Sequence, residues 1–282
     1  LTQQSKFHSL GEFWPVFIIS LTGMIGFWAT LSLNMPDFTR FGHSQREQAI
    51  GQIVALPTTM TVFAAMGVMI TSAAVIIYPN MKAADLWDPM KLVGQFHRVE
   101  IVAISMFTVV VATLAVNIAA NVVSPANDFA NAFPKLISFR TGGLITGIIG
   151  ILMQPWRLLA DPSGYIFAWL VGYSGGLGSI AGVLIADYWL VRRKDLALGD
   201  LYRRHGTYTY NGGWNLRAVI ATLMGCALAW SGPILNQVGM SIGLFDKLYS
   251  YAWFVGFGVA GGTYFLLMKL GPPKVTAKTE ST

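Results

Sequence analysis

The chain has 282 residues, of which 54% are hydrophobic and only 11% are charged, and its net charge is +6. The charged fraction is less than half of the roughly 25% found in soluble domains. This composition excludes a disordered chain and argues against a soluble domain. The single cysteine, Cys226, excludes an intramolecular disulfide and a metal site built from cysteines.

Seven apolar runs are long enough to cross a bilayer, which takes about 20 helical residues. The alternating pattern of membrane strands is absent from the sequence. We therefore predict an all-α integral membrane protein with about seven transmembrane helices. In chain order, the predicted spans cover residues 13–34, 52–78, 101–123, 142–160, 164–191, 216–237 and 249–270.

The lysines and arginines predict how the chain is oriented. If the basic loop between the fifth and sixth spans is cytoplasmic, seven crossings place about two thirds of the basic residues on that side, as the positive-inside rule expects. We expect a multi-pass protein of the cell (plasma or inner) membrane, with the N-terminus of this chain outside and its C-terminus cytoplasmic. Nucleic-acid binding would be another explanation of the positive charge. It is excluded because the basic residues are spread over several short loops.

The first span carries two adjacent aromatic residues near its middle. Gly23 and Gly26 precede Phe27 and Trp28, and an indole at that depth needs a partner for its N–H group. Two interpretations stay open for this span. The glycines could allow close helix packing, or they could interrupt the helix and leave an aromatic platform for a flat ligand.

The third span carries two amides in register. Asn117 and Asn121 are four residues apart and therefore share one helix face. An amide that faces lipid is costly, and its donors and acceptors match the edge of a urea-like or imide-like group. Hydrogen bonding between helices is the alternative, but two amides in register favour a binding cavity. In the fifth span, Phe167 and Trp169 could close over a cavity, although its glycines favour packing.

The sequence shows no catalytic constellation. The four histidines lie in loops, and none has another titratable residue at the spacing of a metal site or a triad. There is no phosphate-binding loop with a Gly-Lys-Ser/Thr sequence. We therefore expect no enzyme activity, no cofactor and no metal.

Several segments together resemble the nucleobase–cation symporter-1 family. Residues 27–41, FWATLSLNMPDFTRF, with SQ at 44–45 and IGQ at 50–52, are similar to the sixth-helix signature of that family. Residues 117–128, NIAANVVSPAND, resemble its eighth helix. Later segments match in the same order: QPWRLL at 154–159, DY at 187–188 and GDLY at 199–202. The resemblance covers essentially the whole chain, as helices six to twelve of a twelve-helix family.

The resemblance implies part of a LeuT-type fold, in which two inverted five-helix repeats hold the substrate between them at mid-membrane. Residues 1–191 would be the second repeat, 192–215 a basic cytoplasmic loop, 216–271 two C-terminal helices and 272–282 a cytoplasmic tail. The family's first five helices are absent from this sequence. They carry another stacking tryptophan, a glutamine and part of the cation site, so a complete site would need them.

The resemblance also implies a function and a set of site residues. Trp28, next to Phe27, would stack on the substrate ring, and Asn121 would hydrogen-bond to that ring with Asn117 in support. The implied activity is secondary active transport, by symport, of nucleobases or related heterocycles such as uracil, allantoin or hydantoin. The expected partners are a small heterocyclic substrate and the lipid bilayer.

One departure from the family pattern concerns the coupling ion. Sodium-coupled members place hydroxyl groups and a carbonyl just before the asparagine motif. Counting back from Asn121, those positions fall on Ala112, Ala115 and Val116, so two hydroxyl ligands are lost. A hard cation needs several oxygen ligands, so we do not expect a sodium site of the family type. The coupling ion, H⁺ or Na⁺, stays undetermined.

A seven-helix receptor, or another polytopic membrane protein without transport activity, is the alternative function. A retinal protein of that shape needs a lysine in the middle of its last span, and residues 249–268 contain none.

Overall fold

The computed structural model describes residues 7–82, 85–160, 164, 169–203 and 206–271. Apart from one isolated bridge between Asn211 and Trp214, the regular structure in these ranges is helical. The predicted tail 272–282 and Phe167 lie outside the described residues. The α-helices in these ranges are α1 (Leu10–Asn34), α2 (Pro36–Thr39), α3 (Gln45–Ile77), α4 (Pro89–Val93), α5 (Val99–Asn117), α6 (Val123–Ala132), α7 (Phe139–Leu152), α8 (Pro155–Ala160), α9 (Val171–Ile185), α10 (Leu216–Ala229), α11 (Ser231–Gln237), α12 (Gly243–Ser250) and α13 (Ala252–Leu270).

Most of the predicted spans are present as long apolar helices. Among the described residues, five segments have the length and composition to cross a membrane. The pair α10 and α11, bent by 60° at its break, makes a sixth if it counts as one span. These segments correspond to six of the seven predicted runs and confirm the all-α membrane class. The five are Leu10–Leu31, Gln45–Ile77, Val99–Ala132, Val171–Val191 and Ala252–Leu270.

The fourth predicted span, 142–160, is not one continuous helix. Helix α7 has 14 residues, which at 1.5 Å per residue cover about 21 Å of the roughly 30 Å hydrocarbon layer. Gln154 then adopts a left-handed φ of 51°, and α8 begins at Pro155. Proline disfavours the α conformation in the residue before it, so the helix breaks here although the composition stays apolar.

The helices group into two compact units. The first contains residues 1–33 and 154–282, and the second contains residues 34–153. Each unit has its own packing, built on small residues.

In the first unit, α9 packs closely against α13. A Cβ atom at Gly178 would collide with the carbonyl oxygen of Trp253, and one at Gly182 with that of Phe257. Small residues of this kind let backbones approach each other in membrane bundles. Because the residue numbers of the contacts rise together along both helices, α9 and α13 run parallel.

Helix α10 packs against both helices in the opposite direction. At one end, the indole nitrogen of Trp230 donates a 2.7 Å hydrogen bond to the carbonyl oxygen of Gly172, just inside α9. At the other end, Arg217 contacts the sulfur of Met268, in the last turn of α13, at 3.9 Å. If α9, α10 and α13 cross the membrane in succession, the middle helix must run opposite to the other two, as it does here.

The described part of the predicted loop 192–215 is tied to these helices by a polar network. One carboxylate oxygen of Asp187 accepts a hydrogen bond from Nε of Arg192, and the other accepts one from the phenol of Tyr264, both at 2.6 Å. Arg192 also donates to Tyr210 and lies 4.5 Å from the ring centre of Tyr208. Burial opposes the charge on Arg192, but its hydrogen bond to Asp187 and the charge of that carboxylate leave its pKa raised. Burial also raises the pKa of Tyr210.

In the second unit, α6 packs against α7 and also holds the short helix α2. A Cβ atom at Gly142 would lie 2.8 Å from the carbonyl oxygen of Ala126. The side-chain amide of Asn127 donates a 3.0 Å hydrogen bond to Asp37. Asp37 also lies 4.0 Å from the guanidinium group of Arg40, three residues later.

Two glycines on α13 give a matched test of the close packing. At Gly256, a Cβ atom would meet the carbonyl oxygen of Gly175 and would lie 2.7 Å from the hydroxyl of Ser179. Gly258 has no such neighbour within 4 Å. We expect Gly256→Ala to lower the stability of the chain by about 1–3 kcal/mol, because overpacking forces the helices apart.

Gly258→Ala is the control, and it should leave stability unchanged or raise it by up to about 1 kcal/mol, because alanine favours helix. Apparent melting temperatures in detergent measure both effects. Equal shifts for the two variants would contradict the packing described for α9 and α13.

Candidate functional site

The aromatic pair of the first span lies on an unbroken helix. Helix α1 is continuous from Leu10 to Asn34, so the interruption considered for Gly23 and Gly26 does not occur. The rings of Phe27 and Trp28 meet edge to face, with centroids 5.5 Å apart. Phe27 is 54% exposed, whereas Trp28 is partly buried.

Gly26 positions this pair by packing against the start of α9. A Cβ atom there would lie 2.6 Å from the carbonyl oxygen of Leu170 and 2.8 Å from Cβ of Ser174. One turn later, the hydroxyl of Thr30 lies 3.2 Å from that of Tyr173. The structure therefore favours the packing interpretation of Gly26, and the two aromatics follow directly after this contact.

The amide pair lies where an α-helix changes into a π-helix. Helix α5 ends at Asn117, and residues Ile118–Val122 form a π-helical turn for which the sequence pattern gave no indication. The side-chain nitrogen of Asn121 donates a 2.8 Å hydrogen bond to the side-chain oxygen of Asn117. Both side chains are exposed. π-Helical turns inside α-helices are frequent at functional sites.

This hydrogen bond leaves a defined set of polar atoms available. Asn121 keeps its side-chain oxygen as an acceptor, and Asn117 keeps its NH₂ group as a donor. An open acceptor and an open donor on two linked side chains can complement a ring that carries N–H and C=O groups. The i,i+4 spacing indicated the pair, but the direction of the bond between the two amides required the structure.

The three positions expected for a cation lie on α5, before the amide pair. Ala112, Ala115 and Val116 are exposed and carry no side-chain oxygen. Within the described ranges, no group of three or more His, Cys, Asp or Glu side chains is placed to hold a metal ion.

The candidate residues divide between the two units. Phe27 and Trp28 belong to the first unit, whereas Asn117, Asn121 and the three cation positions belong to the second.

An aromatic cavity of about 350 Å³ lies within the first unit. Trp169, which the sequence analysis singled out, stacks on Tyr173 with ring centroids 5.1 Å apart. Phe27 and Trp28 are not among the residues that line it. The lining consists of Trp169, Gly172, Tyr173, Trp230, Pro233 and Tyr249.

Comparison with known proteins gives a family and several relatives. The family model described as "Permease for cytosine/purines, uracil, thiamine, allantoin" matches residues 1–256. An allantoin permease of Bacillus subtilis is 39% identical over 274 residues, which cover 96% of this chain and 53% of that protein. A purine-uracil permease of Arabidopsis thaliana is 38% identical, with 100% of this chain and 47% of that protein covered. The chain thus spans about half the length of these relatives.

A solved structure shares the fold. Mhp1, a nucleobase-cation-symport-1 family transporter solved in a closed conformation with bromovinylhydantoin bound, matches with a TM-score of 0.52 and 20% identity. The match covers 93% of this chain and 76% of Mhp1. These findings confirm the resemblance seen in the sequence. The chain belongs to the family of permeases for cytosine and purines, uracil, thiamine and allantoin.

Proposed function

We propose that this chain is part of a secondary active transporter, and not an enzyme, that carries nucleobases or related heterocycles such as uracil, allantoin or hydantoin by symport. The main support for this proposal is the amide pair Asn117–Asn121. It lies in an apolar segment, and its hydrogen bond leaves one acceptor and one donor group open. Polar groups inside a membrane span usually mark a substrate or ion pathway.

The proposed recognition uses two kinds of contact. Trp28 stacks on the flat face of the ring, with Phe27 beside it, and Asn121 hydrogen-bonds to the polar edge of the ring. Asn117 acts as a positioning residue, because its side-chain oxygen holds the amide nitrogen of Asn121. Such preorganisation reduces the entropy lost when the ring binds.

The proposal leaves the coupling ion, H⁺ or Na⁺, undetermined. Ala112, Ala115 and Val116 offer no side-chain oxygen to a hard cation. The carboxylate of Asp187 is already held by Arg192 and Tyr264, which argues against it as a mobile proton carrier. Asp187 is better explained as an anchor of the loop that follows α9.

We also propose that the N-terminus of this chain lies outside and its C-terminus in the cytoplasm. The parallel course of α9 and α13, with α10 running the opposite way, supports successive crossings in this region. A complete transporter would further need the helices that the relatives carry beyond the matched half. The substrate of a LeuT-type protein is held between two repeats.

The first test removes the stacking ring in the complete transporter. Stacking of a base on an aromatic side chain is worth about 1–3 kcal/mol, so Trp28→Ala should weaken substrate affinity by about five-fold to 150-fold. Competition for uptake measures that affinity. Trp14→Ala removes an exposed indole from the start of the same helix and serves as the control. Unchanged affinity in a correctly inserted Trp28→Ala protein would refute the assignment of Trp28.

A second test ranks the two asparagines in the same assay. Asn121→Ala removes the proposed contact with the ring, whereas Asn117→Ala removes only the group that orients Asn121. We expect Asn121→Ala to reduce affinity or change ring preference more than Asn117→Ala does. The reverse order would mean that Asn117 is the residue that reads the ring.

The third test concerns the 282-residue chain alone. Without the helices of the opposing repeat, a ring would be stacked on one face only and would stay in contact with water. We expect no concentrative uptake by the purified chain in proteoliposomes, and clear uptake by the longer protein. Uptake by the chain alone that Trp28→Ala abolishes would show that seven predicted helices already contain a complete site.

A further inference from the structure

Two consecutive cationic residues follow the fifth span in a backbone conformation that disfavours them. The span ends in a π-helical turn, Ala186–Val191. Shortly after it, Arg193 has a φ of 51° and Lys194 a φ of 70°. The left-handed residue after a helix is usually glycine, because a Cβ atom is unfavourable in this conformation.

The backbone alone does not explain the choice of arginine and lysine. The N–H group of Arg192 donates to the carbonyl oxygen of Asp187, and that of Lys194 donates to Tyr188, both at 2.8 Å. These bonds satisfy carbonyl groups that the end of a helix leaves free. Glycine would make the same bonds with less strain, so the two side chains must contribute something else.

Both cations are exposed, and Lys194 lies beside an exposed indole. The ammonium group of Lys194 lies 4.2 Å from the ring centre of Trp189, which is 52% exposed. Neither Arg193 nor Lys194 forms an ion pair within the described part of the chain. The carboxylate of Asp187, on the preceding turn, forms an ion pair with Arg192, whose Nε lies 2.6 Å from a carboxylate oxygen.

The end of α13 repeats the arrangement. Helix α13 runs parallel to α9, so both helices end on the same side of the first unit. In the last turn of α13, the ammonium group of Lys269 lies 4.6 Å from the ring centre of Phe265. Lysines whose stems lie along apolar or aromatic surface keep their charge at the level of the lipid headgroups.

We propose that Arg193 and Lys194, together with Trp189, form a binding site for the phosphate group of an anionic phospholipid. A guanidinium group can donate two parallel hydrogen bonds to a phosphate, and an ammonium group adds a second positive charge. The left-handed backbone fixes both cations directly after the span, where headgroups lie. The lipid is favoured over free phosphate because the exposed indole and the apolar helix below it offer contacts to the rest of the lipid.

The test distinguishes the effect of the two side-chain charges from the effect of the left-handed backbone. In Arg193→Gly/Lys194→Gly, both cations are lost while the left-handed conformation becomes easier to adopt. The purified chain is placed in phosphatidylcholine nanodiscs that contain an increasing fraction of phosphatidylglycerol. Native mass spectrometry counts the phosphatidylglycerol molecules bound to the chain. A cation near an anionic surface is worth about five-fold in affinity, so the double variant should bind phosphatidylglycerol about twenty-five-fold more weakly. In pure phosphatidylcholine its melting temperature should be unchanged or higher.

Three further arms decide between the alternatives. Arg98→Gln/Lys247→Gln removes two cations elsewhere, and an equal loss of binding in this variant would show a general charge effect and overturn the proposal. If the glycine variant does not fold, Arg193→Asn/Lys194→Asn replaces it, because asparagine tolerates the left-handed region. Retained binding in the folded variant would also overturn the proposal. Inorganic phosphate that displaces phosphatidylglycerol at equal concentration would indicate a site for a soluble anion instead.

Discussion

The close approach of α9 and α13 is the constraint on which the first unit depends. Helices in lipid gain little from the hydrophobic effect, so packing and hydrogen bonds must hold them together. Gly178 and Gly182 allow backbone contact with α13. That contact brings Tyr264 within 2.6 Å of Asp187, and Asp187 in turn holds Arg192 at the start of the following loop. A larger side chain at Gly178 or Gly182 would therefore disturb the loop as well as the two helices.

The second unit is organised differently, because its long spans are almost entirely exposed. Within the most apolar stretch of each long span, the buried share is only 6% for span 45–77 and 0% for span 99–132. On the second of these spans, Asn117 and Asn121 share a single hydrogen bond. The atoms left over would be costly to bury without a partner. In the proposed function, a polar ring that supplies an N–H and a C=O group would remove that cost.

Hydropathy predicted most of the fold, and its failures have identifiable physical causes. The fourth span was predicted from composition, but the left-handed Gln154 and the proline after it divide the segment. Gly23 and Gly26 left close packing and an interrupted helix open, and the structure shows a continuous helix with Gly26 packed against α9. Neither π-helical turn, Ile118–Val122 or Ala186–Val191, has a signature in residue propensity. The spacing of the asparagines predicted their common face, whereas their mutual hydrogen bond depends on the local backbone.

Polar residues in and beside the spans can be sorted by what already binds them. The hydroxyl of Thr22 is completely buried and donates to the carbonyl oxygen of Ser250 at 2.8 Å, which marks it as a helix contact. Asp187 has partners on both carboxylate oxygens and is likewise structural. The amide pair keeps an acceptor and a donor open, and Arg193 and Lys194 keep their charges without an ion pair in the described residues. Because unsatisfied polar groups are expensive in an apolar medium, a ligand that pairs with the open amide groups or with the two cations would stabilise the chain.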